Sequence, residues 1–352
     1  MAQVKSYILP QYGAQVEKVE HPLPELGPQD VLLRVTHAGV CHSDIYIQDG
    51  YQDLGNGQRI NFADSSMPIP LVMGHEIVGD VVAVGDNASA ALIGQRRLVY
   101  PWLGCGSCIA CDAGTENHCE NGRSLGIFRH GGYADYVVVP AAKYLVDIGD
   151  LDPAWSSTLA CSGLTVFSAL KQLQPLKAGG AVAIIGAGGL GLNAVGIAKE
   201  LGFANIIVCD ISDDRLEAAK DLGATQILNT RHAGSSSLQA LADNKLLGVV
   251  DTVGLPQTLQ LAIDSCAKGA RIVLVGLQGG SINVGLPVLP FKALSIIGTY
   301  TGSLAELQDL ITLARKGNLK SLPITEKPLS CLCETLNDLR KGNVVGRVVL
   351  NP

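Results

Sequence analysis

Charged side chains are scarce in this chain of 352 residues. Asp, Glu, Lys and Arg make up 16% of it, against about 25% in an average soluble protein, and the formal net charge is −6. No block of like charge exceeds a few residues, so a surface that follows nucleic-acid phosphates is excluded. Disorder is excluded too, because hydrophobic residues make up 47%. The shortage of charge also suggests that another subunit covers part of the surface.

Targeting and membrane-spanning segments are not expected. Residues 1–5 lack the basic and then apolar order of a signal peptide. The stretch 178–198 has no charge over 21 residues and is long enough to cross a bilayer, but seven of its residues are glycine. A strand, a turn and a helix explain it better. We expect a cytoplasmic protein because the cysteines are placed as reduced thiols and not as disulfide partners. The length suggests two domains of roughly 150 residues each.

The cysteines are not spaced as a disulfide framework. Four of the ten fall within 15 residues, and the other six are scattered singly. Clustered reduced thiols indicate a metal. The spacing C-x2-C-x2-C-x7-C brings four soft ligands to one tetrahedral zinc ion and leaves no position open, so this zinc is predicted to be structural. Its ligands would be Cys105, Cys108, Cys111 and Cys119.

The sequence pattern changes near residue 155. Before it, short strand-like runs alternate with turn residues, which predicts a β-rich domain in which 49–70 is a long polar connection. After it, apolar strands alternate with helical stretches, which predicts a parallel, doubly wound sheet. Two helices (304–316 and 331–341) and a closing strand (347–350) are expected at the end. The predicted class is α/β.

A glycine-rich turn follows the first strand of the second part. Its residues are Gly186, Ala187, Gly188, Gly189, Leu190 and Gly191. This is G-x-G-x-x-G at the start of a helix, where a dinucleotide pyrophosphate binds. Asp210 ends the next strand, 19 residues further on, where a carboxylate binds a ribose diol and repels a 2′-phosphate. The sequence therefore predicts NAD rather than NADP. Arg215 either offsets that repulsion in part or lies on a solvated helix face.

Three further segments contain metal-binding residue types far apart in the chain. Cys41 lies in the sequence GVCHSD, His75 in GHE and Cys161 in LACSG. Two cysteines and a histidine would leave one zinc position open, which is the arrangement of a catalytic site. Spacing alone does not pair residues 120 apart, and single cysteines are commonly buried hydrophobic side chains.

Together these motifs resemble the zinc-dependent medium-chain alcohol dehydrogenases. GVCHSD, GHE, the four-cysteine lobe, ACSGLT, the glycine-rich turn and VGRVVL follow in the family's order from about residue 30 to the C-terminus. YPWLG at 100–104 and the loop after Asp49 look most like tetrameric bacterial and archaeal members. The resemblance implies a GroES-like catalytic domain (1–155), a Rossmann domain (156–297) and a return to the catalytic domain (298–352). It also implies a homo-oligomer, with a tetramer favoured over a dimer.

The resemblance implies a second zinc ion in each subunit. Cys41, His75 and Cys161 would hold this catalytic zinc. Glu76 would lie beside it as an alternate ligand, and Asp44 would lie behind one of the ligands.

The family's other residue roles are implied as follows. Ser43 would take the proton of the alcohol, and Thr165 would contact the nicotinamide. His42 and Arg347 would face the cofactor phosphates. Many family members carry a histidine at the outer end of the proton relay, where this chain has Tyr46.

The implied activity is reversible hydride transfer between a primary or secondary alcohol and NAD, which gives an aldehyde or a ketone. Trp102 and the 49–70 loop would wall the substrate pocket, or Trp102 would only cover the structural lobe. A polyol dehydrogenase is one alternative, but those enzymes replace the third zinc ligand by a carboxylate, whereas this chain has Cys161. The other alternative, a non-enzymatic NAD-binding sensor or structural protein, has no need of a zinc site and Ser43 together.

Overall fold

The computed structural model describes residues 3–352, which form the strands β1–β18 and the helices α1–α11. The strands are β1 Gln3–Leu9, β2 Glu17–Pro22, β3 Val31–Gly39, β4 Tyr51–Gly55, β5 Gln58–Asn61, β6 Leu71–Val72, β7 Glu76–Val84, β8 Arg96–Val99, β9 Tyr136–Val139, β10 Leu145–Val146, β11 Ala181–Ile185, β12 Asn205–Asp210, β13 Gln226–Asn229, β14 Leu246–Asp251, β15 Arg271–Leu274, β16 Ser295–Gly298, β17 Ile324–Pro328 and β18 Arg347–Asn351. The helices are α1 His42–Asp49, α2 Ile109–Asp112, α3 Pro153–Thr158, α4 Leu164–Leu173, α5 Gly189–Glu200, α6 Asp213–Leu222, α7 Ser235–Leu241, α8 Pro256–Ser265, α9 Val288–Lys292, α10 Leu304–Arg315 and α11 Leu332–Arg340.

The first part of the chain is β-rich. A three-stranded sheet has the order β2-β1-β6, and a larger one has the order β10-β8-β7-β3-β18-β17, with β9 also paired to β3. The last strand, β18, lies antiparallel to β3, with Val349 opposite Gly39. The C-terminal segment therefore returns to the sheet that the first part of the chain begins.

The second part contains a six-stranded sheet in which every neighbouring pair is parallel. Its order is β13-β12-β11-β14-β15-β16, so the order reverses between β11 and β14. The predicted α/β class with a doubly wound sheet is confirmed. Ligands of such sheets bind outside the carboxyl ends of the strands at the reversal, which is where the glycine-rich turn after β11 lies.

The segment 49–70 differs from the predicted polar connection. It contains the hairpin β4–β5, whose two-residue turn is Asn56-Gly57 with φ of 52° and 73°. Two consecutive positive φ angles are typical of a type I′ turn, for which Asn-Gly is favoured. The strands beside it are largely exposed, so no alternation of apolar and polar residues marks them in the sequence.

Helices α3 and α4 connect the two parts and position one side of the site. Asp152 caps α3, since its carboxylate accepts a hydrogen bond from the N–H of Trp155 at 2.7 Å. A wide, π-type turn at Leu159–Gly163 joins α3 to α4, and all of its residues are buried. Such turns are frequent at functional sites, and this one carries Cys161. None of the helices within 3–352 is long and apolar enough to cross a membrane.

Candidate active site

Helix α1 begins directly after Cys41 and carries several of the predicted site residues. The carboxylate of Asp44 reaches back to accept a hydrogen bond from the N–H of Cys41 at 2.9 Å, which satisfies an otherwise unpaired donor at the helix start. The hydroxyl of Tyr133 donates to the same oxygen at 2.6 Å. The side chain of Asp44 is wholly buried, so these bonds hold both it and the start of α1 in place.

Cys41, His75 and Cys161 come together from three separate elements. Their possible ligand atoms lie within 4.8 Å of one another, and all three residues are buried. The two sulfurs are 3.9 Å apart. Tetrahedral Zn–S bonds of about 2.3 Å place two sulfurs about 3.8 Å apart, so the spacing fits zinc.

The imidazole of His75 supports the same assignment. It is wholly buried, and neither ring nitrogen has a hydrogen-bond partner within residues 3–352. Its Nδ1 lies 3.4 Å from the carboxylate of Asp44. A buried polar atom without a partner is costly, and a metal ion would satisfy it. Both Cys41 and Cys161 border a large cavity, so a metal held here would be open to a ligand in that cavity.

The four-cysteine lobe forms the second candidate metal site. The sulfur of Cys108 is 3.6 Å from that of Cys111 and 3.7 Å from that of Cys119, and Cys105 lies 4.0 Å from Cys111. Two backbone N–H groups donate to sulfurs at 3.3 Å, as expected for thiolates. The lobe has little core of its own, since Ile109 is 88% exposed. Four sulfurs at these distances fit one tetrahedral zinc without an open position.

Glu76 and Arg347 are paired with each other in the interior. The guanidinium of Arg347 donates to a carboxylate oxygen of Glu76 and, at 2.8 Å, to the carbonyl of Val40. The other oxygen of Glu76 accepts the N–H of Ser162 at 3.2 Å. Burial raises the pKa of Glu76 to about 7, although the charge of Arg347 opposes that rise. The aliphatic part of Arg347 also occupies the space that a side chain at Gly189 would need.

One cavity of about 930 Å³ joins the metal-type cluster, which is the set of Cys41, His75 and Cys161, to the glycine-rich turn. This volume is within the usual range for cofactor and ligand sites. The predicted residues that border it are Cys41, His42, Ser43, Tyr46, Cys161, Thr165, Gly186, Gly188, Gly189, Leu190, Asp210, Arg215 and Arg347. Gly191 lies behind the turn, where a side chain would overlap the carbonyl of Gly186.

Asp210 and Arg215 lie at one end of the cavity. The two oxygens of Asp210 accept hydrogen bonds from the N–H groups of Ala187 at 2.6 Å and Ser212 at 2.9 Å. These bonds fix the carboxylate beside the glycine-rich turn. Arg215 donates to the carbonyls of Gly342 at 2.7 Å and Val344 at 3.2 Å, so it holds the C-terminal segment instead of extending freely into solvent.

The residues of the expected proton relay lie at the other end. The hydroxyl of Ser43 is 3.7 Å from the sulfur of Cys41. The rings of His42 and Tyr46 are 5.3 Å apart. Burial lowers the pKa of His42 and raises that of Tyr46 to about 12. The hydroxyl of Thr165 donates to the carbonyl of Cys161 at 2.7 Å.

Trp102 lies beside the metal-type cluster rather than only over the lobe. Its ring is 5.5 Å from that of His75, and its Nε1 donates to the carbonyl of Ala160 at 3.0 Å. On its other side, Tyr300 makes an edge contact at 6.1 Å. Trp102, Tyr300 and part of the β4–β5 hairpin all border the cavity.

Sequence reasoning missed Tyr133, Tyr300 and Gln278. The amide of Gln278 lies 3.3 Å from the Nε2 of His42. Its position shortly after β15, at the carboxyl edge of the parallel sheet, was the available signal. Nothing in the neighbouring sequence marks Tyr133 or Tyr300.

Comparisons with known proteins agree with this arrangement. The alcohol dehydrogenase GroES-like domain family matches residues 27–150, and the zinc-binding dehydrogenase family matches 189–316. An NAD-dependent alcohol dehydrogenase of Sulfolobus acidocaldarius is 35% identical over 99% of both chains. An alcohol dehydrogenase of Geobacillus stearothermophilus is 31% identical, also over 99% of both chains. The crystal structure of an alcohol dehydrogenase from Aeropyrum pernix has a TM-score of 0.90 and 28% identity, and covers 99% of this chain and 100% of that chain.

The Glu76–Arg347 pair generates a stability prediction. Replacing Arg347→Met leaves the carboxylate of Glu76 buried without its cation, and breaking such a pair costs about 3–5 kcal/mol. We expect a loss approaching that size in the free energy of unfolding, measured by denaturant titration at about pH 9, and a smaller loss at about pH 6, because without Arg347 the pKa of Glu76 rises above about 7 and its carboxyl is protonated there. The double variant Glu76→Gln/Arg347→Met should regain much of the loss. An equal loss in the double variant would show that the charge is not the cause.

Proposed function

We propose that this chain, which belongs to the zinc-containing medium-chain dehydrogenase family, interconverts primary or secondary alcohols with aldehydes or ketones. Three relatives that match over at least 96% of both chains are NAD-dependent alcohol dehydrogenases, and the class of this enzyme is therefore an NAD-dependent oxidoreductase. The observation that carries the proposal is the buried set Cys41, His75 and Cys161, which borders the same cavity as the glycine-rich turn and Asp210. Hydride transfer requires the alcohol carbon and the nicotinamide to meet in one such space.

Two zinc ions fit the donor sets of the chain. Cys41, His75 and Cys161 would hold the catalytic one, which supplies a Lewis acid that makes the alcohol easier to deprotonate. Asp44 faces Nδ1 of His75 and thereby leaves Nε2 to act as the ligand. Glu76 would join the ligand set only on release from Arg347. The four cysteines of the lobe would hold the structural zinc.

The cofactor would lie along the cavity. The glycine-rich turn and the first N–H groups of α5 would receive the pyrophosphate, and His42, which borders the same cavity, would face it. Asp210 would accept hydrogen bonds from the adenosine ribose, and Thr165 would contact the nicotinamide. The side chain of Arg347 packs against Gly189 and would support the turn that binds the cofactor phosphates.

The proton leaves through residues of α1. Ser43 lies next to Cys41, so its Oγ would accept the alcohol proton and pass it outward. Tyr46 stands further along the helix, but a phenol with a pKa of about 12 holds its own proton at neutral pH. The outer end of the relay would therefore lack a base at that position.

Substitution of Tyr46 tests the relay. We expect wild-type alcohol oxidation to be slow near pH 7 and to rise toward about pH 9–10 as solvent hydroxide takes the proton, since Tyr46 stays protonated there, with carbonyl reduction favoured near neutrality. A histidine has an ordinary pKa of about 6.5, so Tyr46→His should raise kcat at pH 7 and move the rising limb to lower pH. The gain should stay well below the roughly 10²-fold of a full general base, because the inner step is unchanged.

The control is Tyr46→Phe, which removes the hydroxyl and keeps the ring. The measurement is kcat for oxidation against pH in the three proteins. Three superimposable profiles would mean that His42 or an ordered water already serves as the outer base.

The activity itself is tested by zinc content and NADH formation with a panel of alcohols. We expect two zinc ions per chain in the active protein. Cys161→Ser should lose most activity and one zinc, while fold and NADH binding persist. Cys111→Ser should instead weaken folding or assembly, because a structural zinc contributes folding free energy directly. One zinc per chain in fully active protein would count against the two-site assignment, and activity confined to polyols would favour a polyol dehydrogenase.

The division into domains at 1–155, 156–297 and 298–352 is proposed from the sheet topology. The β-rich sheets draw on the first and last of these segments, and the parallel sheet draws on the second, except for Gly298 at the end of β16. The ten cysteines are all free, which supports a reducing compartment such as the cytoplasm.

A homo-oligomer is proposed from the edge of the parallel sheet, and the resemblance to tetrameric family members favours a tetramer. The edge strand is β16, and just before it Leu286 and Phe291 are 79% and 77% exposed. An unpaired strand edge beside apolar side chains favours pairing with another chain. We expect light scattering to give a multiple of 36.8 kDa, and Phe291→Asp to lower it. A monomeric wild type would contradict the proposal.

A further inference from the structure

The cofactor cavity has two cations that lack an acidic partner. The arginines and lysines that border it are Arg215, Arg340, Lys341 and Arg347. Arg347 is paired with Glu76, and Arg340 makes a two-pronged pair with Asp49 at 2.6 and 2.8 Å. Arg215 and Lys341 form no ion pair with any residue of 3–352, so their charges are available to an anionic ligand.

Arg215 and Lys341 are connected through the turn that follows α11. Arg215 is five residues beyond Asp210, and its guanidinium donates to the carbonyls of Gly342 and Val344. Bonds to carbonyls do not neutralise its charge. They hold the turn that follows α11 against α6, and Lys341 is the first residue of that turn. Arg215 on α6 therefore tethers the turn that carries Lys341, and both residues border the same cavity as Asp210.

The positive charges of Arg215 and Lys341 exceed what a ribose without a 2′-phosphate requires. A ribose diol is neutral and is served by the carboxylate of Asp210. The pyrophosphate already has the glycine-rich turn and the first N–H groups of α5. A phosphate on the ribose 2′-oxygen would bring about −1.5 to −2 charges close to Asp210, and Lys341 is an exposed cation on a flexible stem that borders the same cavity.

We propose that Lys341 is a specificity-determining residue that receives a 2′-phosphate on the adenosine ribose, with Arg215 as the positioning residue behind it. The protein then binds NADPH as well as NADH, and its preference for NADH is moderate in spite of Asp210. This inference rests on the proposed placement of the ribose at Asp210.

Two nucleotides that differ only in the 2′-phosphate test it without any turnover. Adenosine 5′-monophosphate and adenosine 2′,5′-bisphosphate compete with NADH, and the loss of NADH fluorescence gives their Kd values. Lys341→Gln should raise the Kd of the bisphosphate by about threefold to tenfold and change the Kd of the monophosphate by less than about twofold. Lys341→Arg should keep the wild-type ratio. The difference between the wild-type and Lys341→Gln Kd values for the bisphosphate should shrink at about 0.5 M salt, because the ion pair between Lys341 and the 2′-phosphate is exposed to solvent.

Lys316 provides a matched control. Like Lys341, it follows the last residue of a helix and precedes a glycine, but it does not border the cavity. Lys316→Gln should leave both Kd values unchanged. If Lys341→Gln raises the Kd values of both nucleotides equally, the lysine binds another phosphate and the proposal is overturned. If it raises neither Kd value, the proposal is overturned as well.

Asp210→Asn separates this inference from the placement on which it rests. Loss of the carboxylate should improve binding of the bisphosphate relative to the monophosphate, because a repulsion is removed. If Asp210→Asn changes neither Kd value, the ribose does not lie at Asp210 and the placement itself fails. If Asp210→Asn acts as expected while Lys341→Gln does not, the placement stands and only the role of Lys341 is wrong.

Discussion

The buried ion pair of Arg347 and Glu76 connects the parts of the chain that form the site. Arg347 begins the last strand, Glu76 begins β7, and Ser162 of the π-type turn donates its N–H to Glu76. Two charges removed from water are costly, and the cost is offset only when their hydrogen bonds are also satisfied. Because Glu76 directly follows His75, and Ser162 directly follows Cys161, these bonds also fix the position of two candidate metal ligands.

A second set of buried hydrogen bonds orients helix α1, which begins directly after the third candidate metal ligand, Cys41. Asp44 accepts hydrogen bonds from Cys41 N–H and Tyr133 and faces His75 with its other oxygen. One carboxylate therefore relates the start of α1 to the imidazole. Metal ligands keep the geometry that the ion requires only when such outer contacts hold them in place. The donor set depends in this way on residues that never touch the metal.

Local patterns in the sequence predict the parallel sheet, the glycine-rich turn and the four-cysteine lobe. Each strand–helix unit of the sheet, the turn and the lobe is formed by residues within a few tens of positions of one another. The set of Cys41, His75 and Cys161 is different, since its members meet only through tertiary contacts. It is implied only by the resemblance of several motifs to the zinc-dependent medium-chain alcohol dehydrogenases. The β4–β5 hairpin was missed because its strands are exposed and polar, although Asn56-Gly57 marks its turn. The pairing of Arg347 with Glu76 has no local signal.

Gly189 illustrates why a motif position can be constrained from outside the motif. In G-x-G-x-x-G it occupies a variable position, and its φ is not positive, so the turn itself does not require glycine there. Gly186, in contrast, has a φ of 94°, and Gly191 has no room for a side chain beside the carbonyl of Gly186. At Gly189 the space is taken by Arg347, which reaches toward Glu76. The cofactor turn and the metal-type cluster are therefore packed against the same arginine, and neither can shift without disturbing the other.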